Sequence, residues 1–437
     1  MPIETITLLV VGAMLLLMLA GVPLAWIMMT IAVVCTLAWL GPMGLPLVAS
    51  RVYGFVSEYV FVAVPLFVLM ACILERSGVA KDLYDAMRLL AGRLPGGVAV
   101  QTTLVAIVMA AMTGIIGGEV VLLGLIALPQ MLRLGYDRRL AIGVICAGGS
   151  LGTMIPPSVV LLVYGLTAGV SIGDLFLAAV LPGLLLGSLY VGYVMLRCWL
   201  NPALGPPAPP EELAVPLAEK LRLLKGLILP ILIIVWVLGS IYGGIASVTE
   251  SAGVGCVGAL LSAAIRRELN LEMLKGALIQ TMTTVGVIIW LTLGANAFIG
   301  IYNIMGGTGY LRGLLAGLPL PPLGIVLVMM AILLVLGCII DWIGICLLTM
   351  PIFVPVIKSL GYDPVWFDVL FCMNMQVSYL TPPFGPAAFY LKGVAPPDVT
   401  LQEIFGSVWP FIGLQVVGLT VVLLFPGIAL WLPSLGG

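Results

Sequence analysis

The sequence predicts an all-α polytopic membrane protein with about ten transmembrane spans and two re-entrant helical hairpins, arranged as two inverted repeats. Three observations carry that expectation. The first is composition. Of 437 residues, 62% are hydrophobic and 8% charged, where a soluble domain is usually ~25% charged. A soluble core cannot hide so much apolar surface, so the surrounding solvent must be lipid. The second is a set of charge-free stretches, at 5 to 50, 59 to 74, 140 to 173, 226 to 249 and 276 to 311. They suit helices of the roughly 20 residues that cross the hydrocarbon. Barrel strands would instead show short alternating segments. The third is an internal repeat at constant offset.

Lys and Arg fix the path. Arg76, Lys81, Arg88 and Arg93 form one basic group and Arg133, Arg138 and Arg139 a second. Arg197, Lys220, Arg222 and Lys225 flank a Pro-rich loop at 201 to 219, and Arg266, Arg267 and Lys275 form the last group. By the positive-inside rule these loops face the cytoplasm. Arg312 and Lys358 stand alone and fit the other side, while Lys392 is weak evidence for either. Spans near 3–20, 23–40 and 59–76 bring the chain to the first basic loop. The segment 96–133 leaves that loop and returns to the same side, too short for two full spans, so it reads as a hairpin. Its glycine-rich centre, Thr113-Gly-Ile-Ile-Gly-Gly-Glu119, is the expected tip. Spans follow at 140–166, 175–197, 226–243, 245–265 and 277–300. The segment 318–360 is a second hairpin from the opposite face, and spans 364–391 and 405–431 end the chain with both termini outside. Trp26, Trp39, Trp342 and Trp366 are expected as anchors at the membrane interface.

The repeat is read from identities. Gly135-Tyr136-Asp137 recurs as Gly361-Tyr362-Asp363, Pro156-Pro157 as Pro382-Pro383, and Pro129 as Pro355, each at an offset of 226 (361 − 135, 382 − 156, 355 − 129). Asp174-Leu-Phe176 and Pro182 are echoed by Glu403-Ile-Phe405 and Pro410, shifted by two or three more. The charge rule puts Gly135 inside and Gly361 outside, so the repeats are inverted. Gly148, Gly149, Gly152, Pro156 and Pro157 cannot sustain a regular helix, because Pro lacks an N–H and clashes with the preceding turn. Unpaired backbone at membrane depth is tolerated where protein buries it or where it lines a cavity. Inverted repeats, each with a discontinuous helix, mark secondary transporters, in which freed carbonyls hold cations and helix N-termini face anions. A simple Pro kink is the competing reading for either break alone.

Other classes fare worse. Histidine is absent, which removes His metal sites, Ser-His triads and His proton relays. No Gly-x-Gly-Asp pair or Walker lysine motif appears, so the chain is read as neither an enzyme nor a user of ATP, and nothing points to nucleic acid. The eight cysteines are scattered without a C-x-x-C and read as small apolar core residues. Met-Pro-Ile-Glu, without a basic stretch or an A-x-A site, is expected to begin a first membrane helix and not a cleaved signal peptide.

Taken together, the motifs resemble a known family, the large membrane subunit (DctM type) of tripartite ATP-independent periplasmic (TRAP) transporters. They are Pro65-Leu-Phe-Val-Leu-Met70, Leu74-Glu-Arg-Ser-Gly-Val-Ala80, Leu151-Gly-Thr-Met-Ile-Pro-Pro-Ser158, Asp363-Pro-Val-Trp-Phe367 and Leu380-Thr-Pro-Pro-Phe-Gly385. The resemblance covers essentially the whole chain. Asn374-Met-Gln376, Phe389-Tyr-Leu-Lys-Gly-Val-Ala-Pro396 and Gly114-Ile-Ile-Gly resemble a subgroup associated with organic acids. It implies a bacterial inner-membrane permease that imports a small carboxylate with sodium ions as coupling ions and no other cofactor. It also implies an elevator motion and two partners, a small four-helix membrane subunit (DctQ type) and a periplasmic substrate-binding protein (DctP type). A stand-alone ion-coupled organic anion carrier of the same architecture is the alternative. The organisation expected is 1–95 as N-terminal scaffold and arm helices, 96–197 as the transport core of repeat one, 198–311 as cytoplasmic loop and scaffold helices, and 312–437 as the core of repeat two with the last helix. Many members have a Ser-Gly-Ser-type hairpin tip, which this chain lacks.

Site residues follow from sodium's preference for hard oxygen ligands. Site one would join tip one (Thr113, Gly114, Gly117) to break one (Gly149, Ser150, Gly152, Thr153), and site two would join tip two to break two (Ser378, Thr381, Pro382). For these hydroxyls the competing reading is a bond back to their own helix. Asp341, the lone charge between 313 and 357, is expected as a cation ligand, since a carboxylate at that depth is costly. Glu119, the lone charge between 94 and 132, is a substrate-site candidate at which coupling ion, proton, substrate amine and structural pairing all stay open. Asn296, Asn374 and Gln376 are candidates for the substrate, against interhelical bonding. Glu250, in Ser247-Val-Thr-Glu250, reads as scaffold structure or a contact with the small subunit.

Overall fold

A computed structural model describes residues 2–79, 82–84, 86–87, 96–114, 117–207 and 228–436. Lys81, Arg88, Arg93, Lys220, Arg222 and Lys225, most of the Pro-rich loop, and Ile115 and Ile116 of tip one lie outside the described residues. The described chain is helical throughout. Helices α1 (Ile3–Leu19), α2 (Leu24–Trp39), α3 (Leu45–Val56) and α4 (Ala63–Arg76) lead to hairpin one, α5 (Gly97–Thr113) and α6 (Gly118–Arg133). A broken helix follows, α7 (Arg138–Ser150) and α8 (Val159–Ala168), and then α9 (Ile172–Leu200). Next come α10 (Ile228–Tyr242), α11 (Val248–Ile265), α12 (Leu271–Ile304) and α13 (Gly307–Ala316). Hairpin two is α14 (Pro322–Gly337) and α15 (Trp342–Ser359), and its broken helix is α16 (Pro364–Leu380) and α17 (Pro386–Lys392). Helices α18 (Leu401–Leu424) and α19 (Gly427–Gly436) close the chain. Among the described residues, six helices are long and apolar enough to cross a membrane: Tyr59–Arg76, α9, α11, α12, α15 and α18.

The repeated Gly-Tyr-Asp is a helix stop joined to a helix start. Gly135 and Gly361 both take φ of 80°, the left-handed conformation that suits glycine past a helix end. The N–H of Tyr136 reaches back to Met131 O and that of Tyr362 to Ile357 O, each at 3.1 Å or less. Asp137 and Asp363 then cap the next helix, their Oδ1 atoms accepting from Leu140 N and Val365 N. The later echo works the same way, with Ser171 capping at Asp174 N and Thr400 at Glu403 N. These caps satisfy backbone donors that every helix start leaves open.

Packing divides the helices in two. Helix α12 lies against α2, α3 and α4, and α11 against α4 and α10, forming a scaffold. The hairpins, the broken helices, α9, α18 and α19 pack on one another as a second group. The two groups meet where α4 touches α5 and α8 and where α12 touches α15. Polar ties join loops assigned to one side by the charge rule. Arg138 pairs with Asp398 at 2.8 Å and Glu403 at 3.2 Å, and Arg266 pairs with Asp82 at 2.5 Å and donates to Ser77 O. Lys392 donates to Val399 O, so its segment lies with Arg138 at the basic end.

Three features depart from expectation. Helices α3 and α13 occupy connections read as loops; each buries little, α3 only Val48 and α13 Gly307 and Thr308, as helices lying along an interface do. The last expected span is divided between Leu424 and Gly427, where Pro426 disfavours helix at the residue before it. Trp366 and Trp342 are not interface anchors: both are buried, and the Trp366 indole donates to Val422 O at 3.0 Å. Trp26 and Trp39 are exposed, with Trp26 stacked on Trp290.

Candidate functional site

Each hairpin tip meets the break of its own repeat. Gly114 closes α5 with φ of 63°, and its carbonyl accepts from Val159 N, the first residue of α8, at 3.1 Å. A Cβ at Gly114 would strike the Pro157 carbonyl, and one at Gly149 would stand 2.5 Å from Val120 Cγ2 and 2.9 Å from Val120 N. These two glycines therefore let hairpin one seat directly on the break. The peptides Pro156-Pro157 and Pro382-Pro383 are both cis.

At break one, Ser150 donates to Ala147 O, Thr153 to Ser150 O, and Ser158 to Thr153 O. Gly152 is buried in the short 3₁₀ turn Leu151–Thr153. Thr113 donates to Met109 O and to Glu119 Oε1. Glu119 is fully buried, and its Oε2 has no partner among the described residues. Gly117, with φ of 116°, lies under the Tyr390 ring, 3.1 Å from where a Cβ would be.

At break two, a Cβ on Gly337 would meet the Ser378 hydroxyl, so hairpin two seats as closely as hairpin one. Asn374 donates to Met330 O of α14 at 2.8 Å. Ser378 bonds back to Asn374 O and Thr381 to Val377 O. Thr381 O accepts from Gly385 N in the turn that carries Pro382. Asp341 caps α15 through Ile343 N and lines a cavity of about 590 Å³ with Leu24, Ala25 and Trp290. The breaks are joined to each other, since Gln376 Nε2 donates to Thr153 Oγ1 at 2.7 Å.

The structure thus brings together Thr113, Gly114, Gly117, Glu119, Gly149, Ser150, Gly152 and Thr153 at one break, and Asn374, Gln376, Ser378, Thr381 and Pro382 at the other, while Asp341, at the turn of hairpin two, faces the cavity against α2 and α12. Asn296 stands apart. Its amide donates to Thr292 O, and it lines a cavity of about 990 Å³ at the far end of α12 with Arg51, Glu58 and Thr249. Glu250 closes a capping box with Ser247 at the start of α11, which answers to the scaffold reading. The hydroxyls of both breaks donate to their own helices, yet each oxygen keeps lone pairs. Hydroxyl and carbonyl oxygens are the donor type that a hard cation prefers. Among the described residues no group of three His, Cys, Asp or Glu side chains is placed to hold a metal ion.

Sequence reasoning passes over several residues. Asp368, the lone charge between 364 and 391, is fully buried in α16, with Cys372 near Oδ1 and no partner for Oδ2 among the described residues. The signal that singles out Asp341 would find it too. Glu75 reads in the sequence only as part of a motif, yet it sits against Gly118 and is the charged neighbour of Glu119. Tyr390 covers tip one, and no residue pattern announces that.

Known proteins share this architecture. A solved structure of the YdaH transporter of Alcanivorax borkumensis superposes with a TM-score of 0.63 at 16% identity, covering 91% of this chain and 90% of the other, a likeness of fold. The C4-dicarboxylate TRAP transporter large permease protein DctM of Vibrio cholerae is 28% identical over 100% of this chain and 98% of its own length. The Pseudomonas aeruginosa protein of the same description is 30% identical, over 88% and 89%. The family described as tripartite ATP-independent periplasmic transporter, DctM component, matches residues 11–428. The chain, a multi-pass membrane protein, belongs to that family.

Proposed function

We propose that this chain is the large permease subunit that imports a small organic acid across a bacterial inner membrane, coupled to sodium, by an elevator motion of the hairpin group against the scaffold. The observation that carries this reading is the joining of two hairpin tips to two helix breaks, with Gln376 and Thr153 tying the breaks together. Such a unit offers uncoordinated oxygens and helix starts at one place in the membrane, the arrangement by which transporters of inverted design hold ions and anions. The relatives named for C4-dicarboxylates favour a small carboxylate. A DctQ-type small subunit and a DctP-type binding protein are the partners that this reading requires.

The two tips meet the scaffold at different levels. Hairpin one leaves the basic end, yet Gly118 at its tip lies against Glu75 in the last turn of α4. Hairpin two comes from the opposite end, and Gly344 near its tip lies against Leu24, the first residue of α2. Glu75 stands at the basic end of α4, beside Gln280 of α12, whereas Leu24 and Ala25 stand further along α12, where Ala25 lies against Gly294.

Reconstitution tests the proposal. Uptake of a C4-dicarboxylate or related acid into proteoliposomes is expected to need the small subunit, the binding protein and an inward sodium gradient. Uptake by this chain alone would favour the stand-alone carrier and sink the three-part reading.

A further inference from the structure

We propose that Glu75 and Glu119 form a site for one monovalent cationic group, shared between scaffold helix α4 and hairpin one. The inference rests on the reading of hairpin one as part of the moving group. Glu119 is fully buried, with one carboxylate oxygen on Thr113 and the other without a partner among the described residues. Glu75 packs on Gly118, the residue before Glu119, with its Oε1 and Oε2 2.9 Å and 3.0 Å from where a Gly118 Cβ would be, close enough for the two charges to interact. The absent side chain lets the Glu75 carboxylate pack directly on the hairpin backbone beside Glu119.

Among the described residues no ion pair reaches either carboxylate, although the Arg76 charge lies near Glu75. Gln280 donates to Glu75 Oε2 at 3.0 Å, which orients that carboxylate without adding charge. Arg76, the basic side chain nearest in sequence, turns its guanidinium to Gln280 Oε1 at 2.8 Å and 3.2 Å instead of to either carboxylate. Lys392, on the helix that packs over hairpin one, is engaged with Val399 O. A buried carboxylate without a counter-charge is expensive at membrane depth. A cationic group between the two would remove that cost, and the Thr113 hydroxyl supplies a third hard oxygen.

A sodium ion and the ammonium group of a solute share this chemistry. In either case one carboxylate stands on the scaffold and the other on the hairpin. The site is complete only while Gly118 lies beside the last turn of α4. A ligand that binds one position better than the other shifts the equilibrium by that difference in affinity. The cation would therefore hold hairpin one where Gly118 meets α4, and sliding the hairpin away from Glu75 would release it.

The test uses the purified full chain and follows its thermal unfolding midpoint against sodium chloride or methylammonium chloride, with choline chloride holding ionic strength constant. The wild-type midpoint is expected to rise with sodium, with methylammonium, or with both. In Glu75→Gln the half-saturating concentration is expected to rise about tenfold, a loss of about 1.4 kcal/mol in binding. A response to sodium alone identifies the metal ion, and a response to methylammonium identifies an ammonium group. Glu119→Gln is expected to repeat the shift; should it fail to fold, Glu75→Gln carries the test by itself. A Glu75→Gln titration that overlays the wild type, or a wild-type response no greater than in choline, overturns the proposal. Sodium-driven uptake that persists beside either result leaves the transport reading intact.

Discussion

Replacing Gly114 by Ala probes the seat of hairpin one on the first helix break. Two costs act together. At φ of 63° an L-residue pays about 1–2 kcal/mol for the left-handed conformation. The new Cβ also runs into the Pro157 carbonyl, with Ser158 Cα 3.2 Å away. Those are backbone atoms that cannot swing aside, and overpacking of that kind costs about 1–3 kcal/mol. The sum is about 2–5 kcal/mol. Gly135→Ala is the matched control, because it has φ of 80° but nothing within 4 Å of its Cβ, so only the conformational cost of about 1–2 kcal/mol applies. Thermal unfolding of the purified variants in one detergent compares them directly. Gly114→Ala is expected to melt at a clearly lower temperature than Gly135→Ala, and to lose uptake in the reconstituted system. Equal midpoints would mean that the tip does not bear on the break, and hairpin one could not then share an ion site with it.

Other expectations follow from single contacts. Asp341→Asn is expected to flatten the sodium dependence of uptake; an unchanged sodium curve excludes Asp341 as a ligand. Ser247→Ala removes the capping box at the start of α11 and is expected to cost about 1 kcal/mol in stability while sparing the sodium response, read by unfolding and uptake side by side. Hydrogen bonding from Arg138 holds the Asp398 carboxyl below its ordinary value. The stability that this adds is present above the ordinary carboxylate value of about 3.9 and is lost as pH falls through the lower folded value. Asp398→Asn is expected to remove that part of the acid limb of a stability profile, and an unaltered acid limb would exclude the Arg138 contact in solution.

Much of the frame is legible in the sequence, because its signals are local. Gly-Tyr-Asp is a stop and a start in three residues, and a Pro-Pro pair breaks a helix wherever it falls, so the hairpins and breaks can be placed by counting. Depth and facing are harder to read. In a chain this apolar, Trp366 in the core and Trp26 on the surface have equally greasy neighbours, so the aromatic signal cannot separate them. Helices α3 and α13 are short and lie between charge-poor stretches, where an interfacial helix and a loop look alike. At the site, the glycines and hydroxyls of both breaks can be found because breaks are local, whereas the Gln376 bond to Thr153 joins residues from different repeats. Polarity and depth alone group Asn296 with the hairpins; its position on α12 carries it to another cavity. Glu75 and Tyr390 become visible only when separate elements are brought face to face.

The departures from two-fold likeness between the repeats have an energetic meaning. In a perfect inverted repeat, exchanging the roles of the halves would turn the raised carrier into the lowered one, and the two would be isoenergetic. Here α8 has 10 residues where α17 has 7, and the connection 393–400, longer than its counterpart 169–171, carries the Asp398 that ties to Arg138. For the proposed motion, any resting bias of the empty carrier must be written in such mismatches. Equalising them by trimming or grafting would tune that bias without touching a single atom of the ion or substrate sites.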